Sequence, residues 1–288
     1  MRTILIGADG QLGCDIQKHI DKKDLVTLTI SDLDVTDEDK LNKVLFSYSP
    51  QAVINTAAFH KVDDCEKENL KAFSVNSVAV RYLAAACKKL GAKLVHISTD
   101  YVFDGEKGSP YVEDDTPNPK SAYGISKLAG ELYVRYLLPE HFIIRTSSLF
   151  GIAGCLVKGG GNFIETMMKV GREKGEASVV NDQVVSPTYT YDLARKISEL
   201  IKTEYYGTYH ITNKGECSWY DFARKIFELS KMKVDLKPVT SAQFKTPAHR
   251  PKYSVLKHGH LEKLKMDDLR SWEEALKAYL EEKGHVRR

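Results

Sequence analysis

Long apolar runs are missing from this 288-residue chain. The first one, Ile4-Leu5-Ile6, breaks at a glycine and is too short for a signal peptide, and no later run reaches the length that spans a bilayer. A soluble protein with no membrane partner is expected. An excess of either charge is missing too: 42 Lys and Arg oppose 39 Asp and Glu, for +3 overall, with both signs interspersed along helical segments. That excludes a basic stripe and with it nucleic acid as a partner. Cysteine is scarce and unpatterned. The five residues, at 14, 65, 87, 155 and 217, form no Cys-x-x-Cys pair and leave an odd one over. A disulfide framework is therefore excluded, and reduced thiols in the cytoplasm are expected. Internal repeats and low-complexity tracts are absent as well. Single cores begin to divide near ~250 to 300 residues, so one large domain with a smaller lobe is the expected organisation.

What the chain does have is a regular alternation. Thr3 to Ile6, Leu25 to Ile30, Ala52 to Asn55, Lys93 to Ile97 and His141 to Arg145 read as strands separated by helix-length segments. This predicts an α/β fold, a doubly wound parallel sheet of the Rossmann kind. Residues 1–150 form the dinucleotide-binding domain, completed by part of 181–206, and 151–288 form mainly a substrate-binding lobe. Ligands of such sheets sit beyond the carboxyl ends of the strands. At the first of these ends, Gly7-Ala-Asp-Gly10-Gln-Leu-Gly13 runs into Ile16, His19 and Ile20 at helical spacing. Glycines there let the backbone approach a phosphate and let the helix pack on its strand. The second strand ends in Leu28-Thr29-Ile30-Ser31, which offers neither the acid that favours NAD nor the base that favours NADP. Asp32 and Asp34 follow, either within reach of a ribose, and Thr36 is expected to cap the next helix with Asp37-Glu38-Asp39 at its positive end. The third strand runs into Thr56-Ala57-Ala58, small residues against which a cofactor can lie, and the fourth into Ser98-Thr99-Asp100.

The pair that gives these ends a chemistry is Tyr123 and Lys127. One helical turn separates them, so they share a face and the ammonium is expected to favour the ionised phenol. An ordinary tyrosine titrates near pH ~10 and becomes a usable acid near neutrality only with such help. Taken alone, such a pair is usually a half-buried ring beside a solvated amine.

Together, Asn55-Thr-Ala-Ala58, Ser98 to Gly105, Pro117-x-Pro, Ser121-Ala-Tyr-Gly, Lys127-Leu-Ala-Gly-Glu131, Asn181-Asp-Gln183, Ser218-Trp-Tyr-Asp221 and Thr246-Pro-Ala-x-Arg-Pro251 occur in order along nearly the whole chain. In this the sequence resembles the dTDP-4-dehydrorhamnose reductase family of extended short-chain dehydrogenase/reductases. The resemblance implies reduction of the C4 carbonyl of a nucleotide-linked 4-keto-6-deoxy sugar, with Tyr123 as general acid, Lys127 as its electrostatic partner and ribose ligand, and Thr99 bonding the carbonyl. It assigns Gly7, Gly10, Gln11, Leu12 and Gly13 to the pyrophosphate end of the cofactor, and Asp34, Val35, Ala57, Ala58, Phe59, His60 and Ser98 to its remaining length. Asp100, Ser148, Asn181, Gln183 and Arg250 fall on the substrate side. NADPH is the expected cofactor, because no acid stands where it would repel a 2′-phosphate, with NADH as a second donor.

Thr99-Asp100-Tyr101 lacks the Thr-Asp-Glu of sugar-nucleotide dehydratases, which favours simple reduction. Two features depart from the family's pattern. Ser148 stands where the family commonly has Trp, and the loop from Gly151 to Gly161 is longer than usual. Leu156 or Val157 is expected to fold over the sugar in place of the indole. Some relatives bind Mg²⁺ between subunits, which would imply a homodimer, but no residue here marks such a site and no metal ligand is assigned. His258-Gly-His260 lacks a third ligand, Cys65 among acids reads as inert, and Asn76 resembles an asparagine used in proton relays, with a structural hydrogen bond as its alternative. A rival function is a non-catalytic nucleotide-binding partner, as in the regulatory subunit of methionine adenosyltransferase, which is similar in fold and motifs.

Overall fold

A computed structural model describes residues 1–154 and 161–286. Five apolar runs form the strands β1 (Thr3–Ile6), β2 (Leu25–Leu28), β3 (Ala52–Asn55), β4 (Lys93–Thr99) and β5 (His141–Thr146). A sixth, Gly207–His210, comes from the second half of the chain and joins the edge beside β5. The order from that edge is Gly207–His210, β5, β4, β3, β1, β2, and every pair is parallel. From β1 the chain steps outward to β2 and then crosses to β3 on the other side. The carboxyl ends of β1 and β3 therefore flank a crevice at the switch in direction, where ligands of such sheets bind.

Alternation along each strand feeds two cores. Ile4, Ile6, Val53, Leu94 and Ile143 point to one face, where Leu41, Leu45, Leu83 and Leu138 cover them. Leu5, Ala52, Ile54, Val95, Phe142 and Ile144 point to the other and meet Ile16, Leu193 and Ile197. Helix Thr190–Leu200 thus completes the cover of the sheet from within the second half. A third core, with Phe150, Ile164, Phe222, Trp272 and Tyr279, holds together the helices Phe163–Lys174, Trp219–Leu229 and Trp272–Glu282.

Local chemistry moved one boundary. The helix Glu38–Tyr48 is capped by Asp37, whose carboxylate accepts from the Lys40 amide, and not by Thr36. Thr36 instead donates its hydroxyl and its amide to Asp34 Oδ1 at 2.7 and 2.9 Å. Both are good cap residues, and Asp37 has the extended backbone that a cap position requires. The second strand also stops at Leu28, two residues short of Ile30, because the Thr29 amide turns to Asp32 Oδ2 at 2.8 Å.

One buried ion pair ties the central strands to the helix Ala122–Leu137. Arg145 on β5 donates from Nε and Nη2 to the two oxygens of Glu131, at 3.0 and 2.8 Å, and the Ser98 hydroxyl donates to the same carboxylate at 2.6 Å. Burial opposes the Glu131 charge, but the Arg145 guanidinium overcomes it and holds the carboxyl below its usual range. Glu131→Ala would leave a guanidinium only 1% exposed without its counter-ion. Such breakage costs about 3 to 5 kcal/mol, so chemical denaturation is expected to show a loss of that size. A loss under ~1 kcal/mol would mean that Arg145 finds another partner.

Candidate active site

The glycine turn after β1 is dictated by backbone contact. Gly7 adopts φ +78°, which favours glycine, and a Cβ there would lie 2.6 Å from Thr56 Oγ1 at the end of β3. A Cβ on Gly13 would lie 2.3 Å from the Gly7 carbonyl oxygen. Gly10 caps the helix Gln11–Ile16 without a side chain, which leaves the amide edge of that turn to an anion. Thr56 closes the crevice from the other side by donating to the carbonyls of Ile6 and Gly7, at 2.8 and 3.0 Å. Gly13→Ala is expected to cost about 2 kcal/mol or more through forced backbone movement and to weaken dinucleotide binding at least ~10-fold, since the same movement opens the turn. Titration of NADPH fluorescence checks this, and unchanged affinity would remove the turn from the cofactor site.

From this turn a cavity of about 550 Å³ runs along the strand ends to β4 and the helix Ala122–Leu137. Ser121 caps that helix through the Gly124 amide. Gly124 lets it approach closely, because a Cβ there would meet the Tyr101 carbonyl oxygen at 2.2 Å. The approach brings the rings of Tyr101 and Tyr123 edge to face at 5.7 Å. It also sets Tyr123 in the same cavity wall as Thr99. Thr99 donates to Asp100 Oδ1 at 3.0 Å and accepts from the Tyr101 amide at 3.1 Å. Asp100 Oδ2 accepts from Ser147 at 2.9 Å and Ser254 at 2.6 Å. Burial pushes the Asp100 carboxyl up, and the three hydroxyls oppose the shift.

Lys127 is 2% exposed and donates to the Ile97 carbonyl at 2.6 Å, with His96 Nε2 at 3.4 Å. Burial lowers its ammonium to about 8, with Glu131 pulling the other way. His96 is held neutral, well below its ordinary value, by burial and by Lys127. The phenol departs from the sequence expectation. Burial, followed by the charge of Asp100, drives Tyr123 upward rather than toward ionisation, and Thr99 only partly offsets this. The spacing of the pair established a common face but could not reveal how deep that face lies.

Most residues singled out in the sequence line this one cavity. Gly7, Gly10, Gln11, Leu12 and Gly13 line it after β1, Asp34 and Val35 beyond the edge strand β2, Ala57, Ala58, Phe59 and His60 after β3, and Ser98, Thr99, Asp100, Tyr123, Lys127 and Ser148 on the side of β4 and β5. Asn181, Gln183 and Arg250 stand outside its wall. Gln183 is buried and donates to Ser241 at 3.1 Å. Arg250 lies at the rim beyond Tyr101, paired through both terminal nitrogens with Asp63 at 3.2 and 2.8 Å. Leu156 and Val157 lie outside the described residues.

The sequence did not reveal Ser147, Ser254 or His96, which have no local pattern, and gave Thr56 only as a small residue beside the cofactor. Asn76 shows its alternative role. Set in a π-helical turn, Ser74–Val78, it clamps Phe59 by accepting from its amide and donating to its carbonyl, both at 2.9 Å. Cys65 has its thiol pushed up to about 11 by burial and then by Glu66 and Asp64, as its acidic neighbours suggested. His258 is engaged by Asp267 at 3.0 Å and Thr212 Oγ1 at 2.8 Å, and no group of three or more candidate metal ligands occurs among the described residues.

Comparison with known proteins agrees with this geometry. The family model described as RmlD substrate binding domain matches residues 1–284. The spore coat polysaccharide biosynthesis protein SpsK of Bacillus subtilis (strain 168) is 40% identical over 285 residues, covering 98% of each chain. A dTDP-4-dehydrorhamnose reductase of Aggregatibacter actinomycetemcomitans is 37% identical, covering 96% of this chain and 97% of its own. The crystal structure of the dTDP-4-dehydrorhamnose reductase of Bacillus anthracis str. Ames, in complex with NADP, superposes with a TM-score of 0.93 at 42% identity, covering 98% of this chain and 99% of its own. With that family model matching residues 1–284 and relatives 37 to 42% identical over nearly the whole of both chains, the chain belongs to the RmlD substrate binding domain family, that of the dTDP-4-dehydrorhamnose reductases.

Proposed function

We propose that the protein reduces the C4 carbonyl of dTDP-4-dehydro-6-deoxy-L-mannose to give dTDP-L-rhamnose, with NADPH as its preferred cofactor and NADH as a second one. The observation that carries this reading is the meeting of Thr99, Tyr123 and Lys127 in one cavity with the glycine turn. That turn fits a dinucleotide, since Gly7 and Gly13 keep it tight and Gly10 leaves the helix start without a side-chain cap. Bound along the cleft, the nicotinamide supplies the hydride. Tyr123 gives its proton to the carbonyl oxygen as negative charge develops there, so a free alkoxide never forms. A phenol held protonated by burial suits that donation. Lys127, which keeps most of its charge below about pH 8, offsets the phenolate left behind and donates to the ribose.

The preference for NADPH rests on the tip of β2. Asp32 Oδ2 is occupied by the amide and hydroxyl of Thr29, both at 2.8 Å, and Asp34 Oδ1 by those of Thr36. One oxygen of each carboxylate is thus engaged within its own turn, which lessens its availability to a 2′-hydroxyl. Lys40 lies within electrostatic reach of both acids. A cytoplasmic location suits a protein in which no described helix is long and apolar enough to cross a membrane. The test is NADPH consumption, followed by its absorbance, on adding enzymatically prepared dTDP-4-dehydro-6-deoxy-L-mannose. Formation of dTDP-rhamnose is expected, and failure to consume either nicotinamide would overturn the reading.

A further inference from the structure

The chain leaves β5 through Thr146-Ser147-Ser148, and all three residues line the cavity beside Asp100. Ser147 is 2% exposed and has one proton, which goes to Asp100 Oδ2 at 2.9 Å. Ser254 donates to the same oxygen at 2.6 Å and Thr99 to the other at 3.0 Å, so the carboxylate accepts on both sides. Ser147 and Ser148 stand hydroxyl to hydroxyl at 3.2 Å. Because the Ser147 proton is committed to Asp100, the proton between the two serines comes from Ser148. The Ser148 oxygen keeps its lone pairs and has no second proton, so toward the cavity it can only accept.

Two further observations mark this stretch as a ligand site. Ser148 has φ +49°, a left-handed conformation that residues with a Cβ rarely take. It is held there by the Thr188 amide, which donates to the Ser148 carbonyl at 3.2 Å, and by the pairing of Leu149–Phe150 with Thr188–Tyr189. Strain of this kind in a cavity wall points to function. Thr146 is 4% exposed, and its hydroxyl has no partner among the described residues. It is the register partner of Thr99 across β4 and β5, so both side chains leave the sheet on one face, at the cavity. A buried hydroxyl left unsatisfied is costly, and a polar group of a ligand in the cavity satisfies it.

We propose that Ser148 determines specificity for the sugar: its acceptor-only oxygen takes a hydrogen bond from the ring hydroxyl at C3, next to the reducible C4 carbonyl, with Thr146 as the second hydroxyl of that subsite. This rests on the reductase reading above and deepens it. The choice of ring position follows from Asp100, which spans the two sites. Its Oδ1 holds Thr99, the hydroxyl assigned to the carbonyl, and its Oδ2 holds Ser147, against which Ser148 rests. The acceptor is thus offset from the carbonyl site by the width of one carboxylate and its hydrogen bonds, toward the neighbouring ring carbon. A 3-deoxy or 3-keto sugar has no proton to offer it.

The test compares dTDP-4-dehydro-6-deoxy-L-mannose with its 3-deoxy analogue in the native protein and in Ser148→Gly, which suits the left-handed backbone and removes the hydroxyl. Native kcat/KM is expected to favour the hydroxylated sugar about 100-fold, and the preference should fall below ~fivefold in the variant, with the loss on the hydroxylated sugar. Ser148→Ala keeps the Cβ and gives the same readout should glycine loosen the loop. A preference unchanged in both variants would overturn the inference. So would an NADPH affinity that falls in step with it, because Ser148 would then belong to the dinucleotide. Turnover of both sugars without discrimination by the native protein sinks the inference alone, whereas absence of turnover with the hydroxylated sugar sinks the reductase reading and the inference with it.

Discussion

Tyr123→Phe is expected to lower kcat for carbonyl reduction about a thousandfold while changing the affinity for NADPH by less than ~twofold. A positioned proton donor contributes 10²- to 10⁴-fold, and a thousandfold corresponds to about 4 kcal/mol of transition-state stabilisation. The variant deletes only the hydroxyl. The ring keeps its edge-to-face packing on Tyr101 at 5.7 Å, and the glycine turn that would hold the pyrophosphate follows β1, separated from β4 by β3. Steady-state reduction and NADPH fluorescence titration separate the two effects. A kcat within tenfold of the native value would deprive Tyr123 of the role of acid. A parallel loss of NADPH affinity would show that the ring, and not its proton, was the contribution.

What the sequence made legible is what local chemistry decides. Gly7 and Gly13 are glycines because no other residue tolerates the contacts found there, and that requirement is written within a short stretch of chain. Tyr123 and Lys127 share a face because helical periodicity says so. Depth and long-range pairing are not written locally. Lys127 could be known to lie near Tyr123, but not that it is buried against the Ile97 carbonyl. Ser254 meets Asp100 across 154 residues of chain, and no period or turn signal predicts such a contact. The Thr36–Asp37 exchange at a helix cap shows a smaller limit: two adjacent residues with the same preference are separated only by the backbone that the surrounding fold imposes. Asn181 and Gln183 fall in blocks whose order resembles the family's, yet order along the chain does not determine which side chains face a cavity.

Lys127→Met is expected to do two opposite things, abolishing most activity while raising stability near neutral pH. Burial holds the ammonium at about 8 against its ordinary 10.5. That difference is worth roughly 3 kcal/mol against the charged form in the folded state. At pH 7 the lysine is charged both folded and unfolded, so the folded protein bears the whole penalty. As pH rises from about 8 toward 10.5 the folded state sheds the proton while the unfolded state keeps it, and the penalty is progressively relieved. Native stability therefore gains from this residue across that window, and the Met variant has no such gain. Against the relief stands the loss of the hydrogen bond to Ile97, worth about 1 kcal/mol. Calorimetry at pH 7 should find Met stabilised by about 1 to 2 kcal/mol, a few degrees in Tm, with the gap closing by pH 10. Activity should fall about 100-fold or more, because phenolate and ribose lose their cation. The native enzyme should show a shallower version of the same loss as pH rises past about 8. A Met variant less stable than native at pH 7 would mean that the ammonium is held for the fold. A more stable but inactive one would show a charge kept in the interior at the expense of stability, for what it does in the cavity.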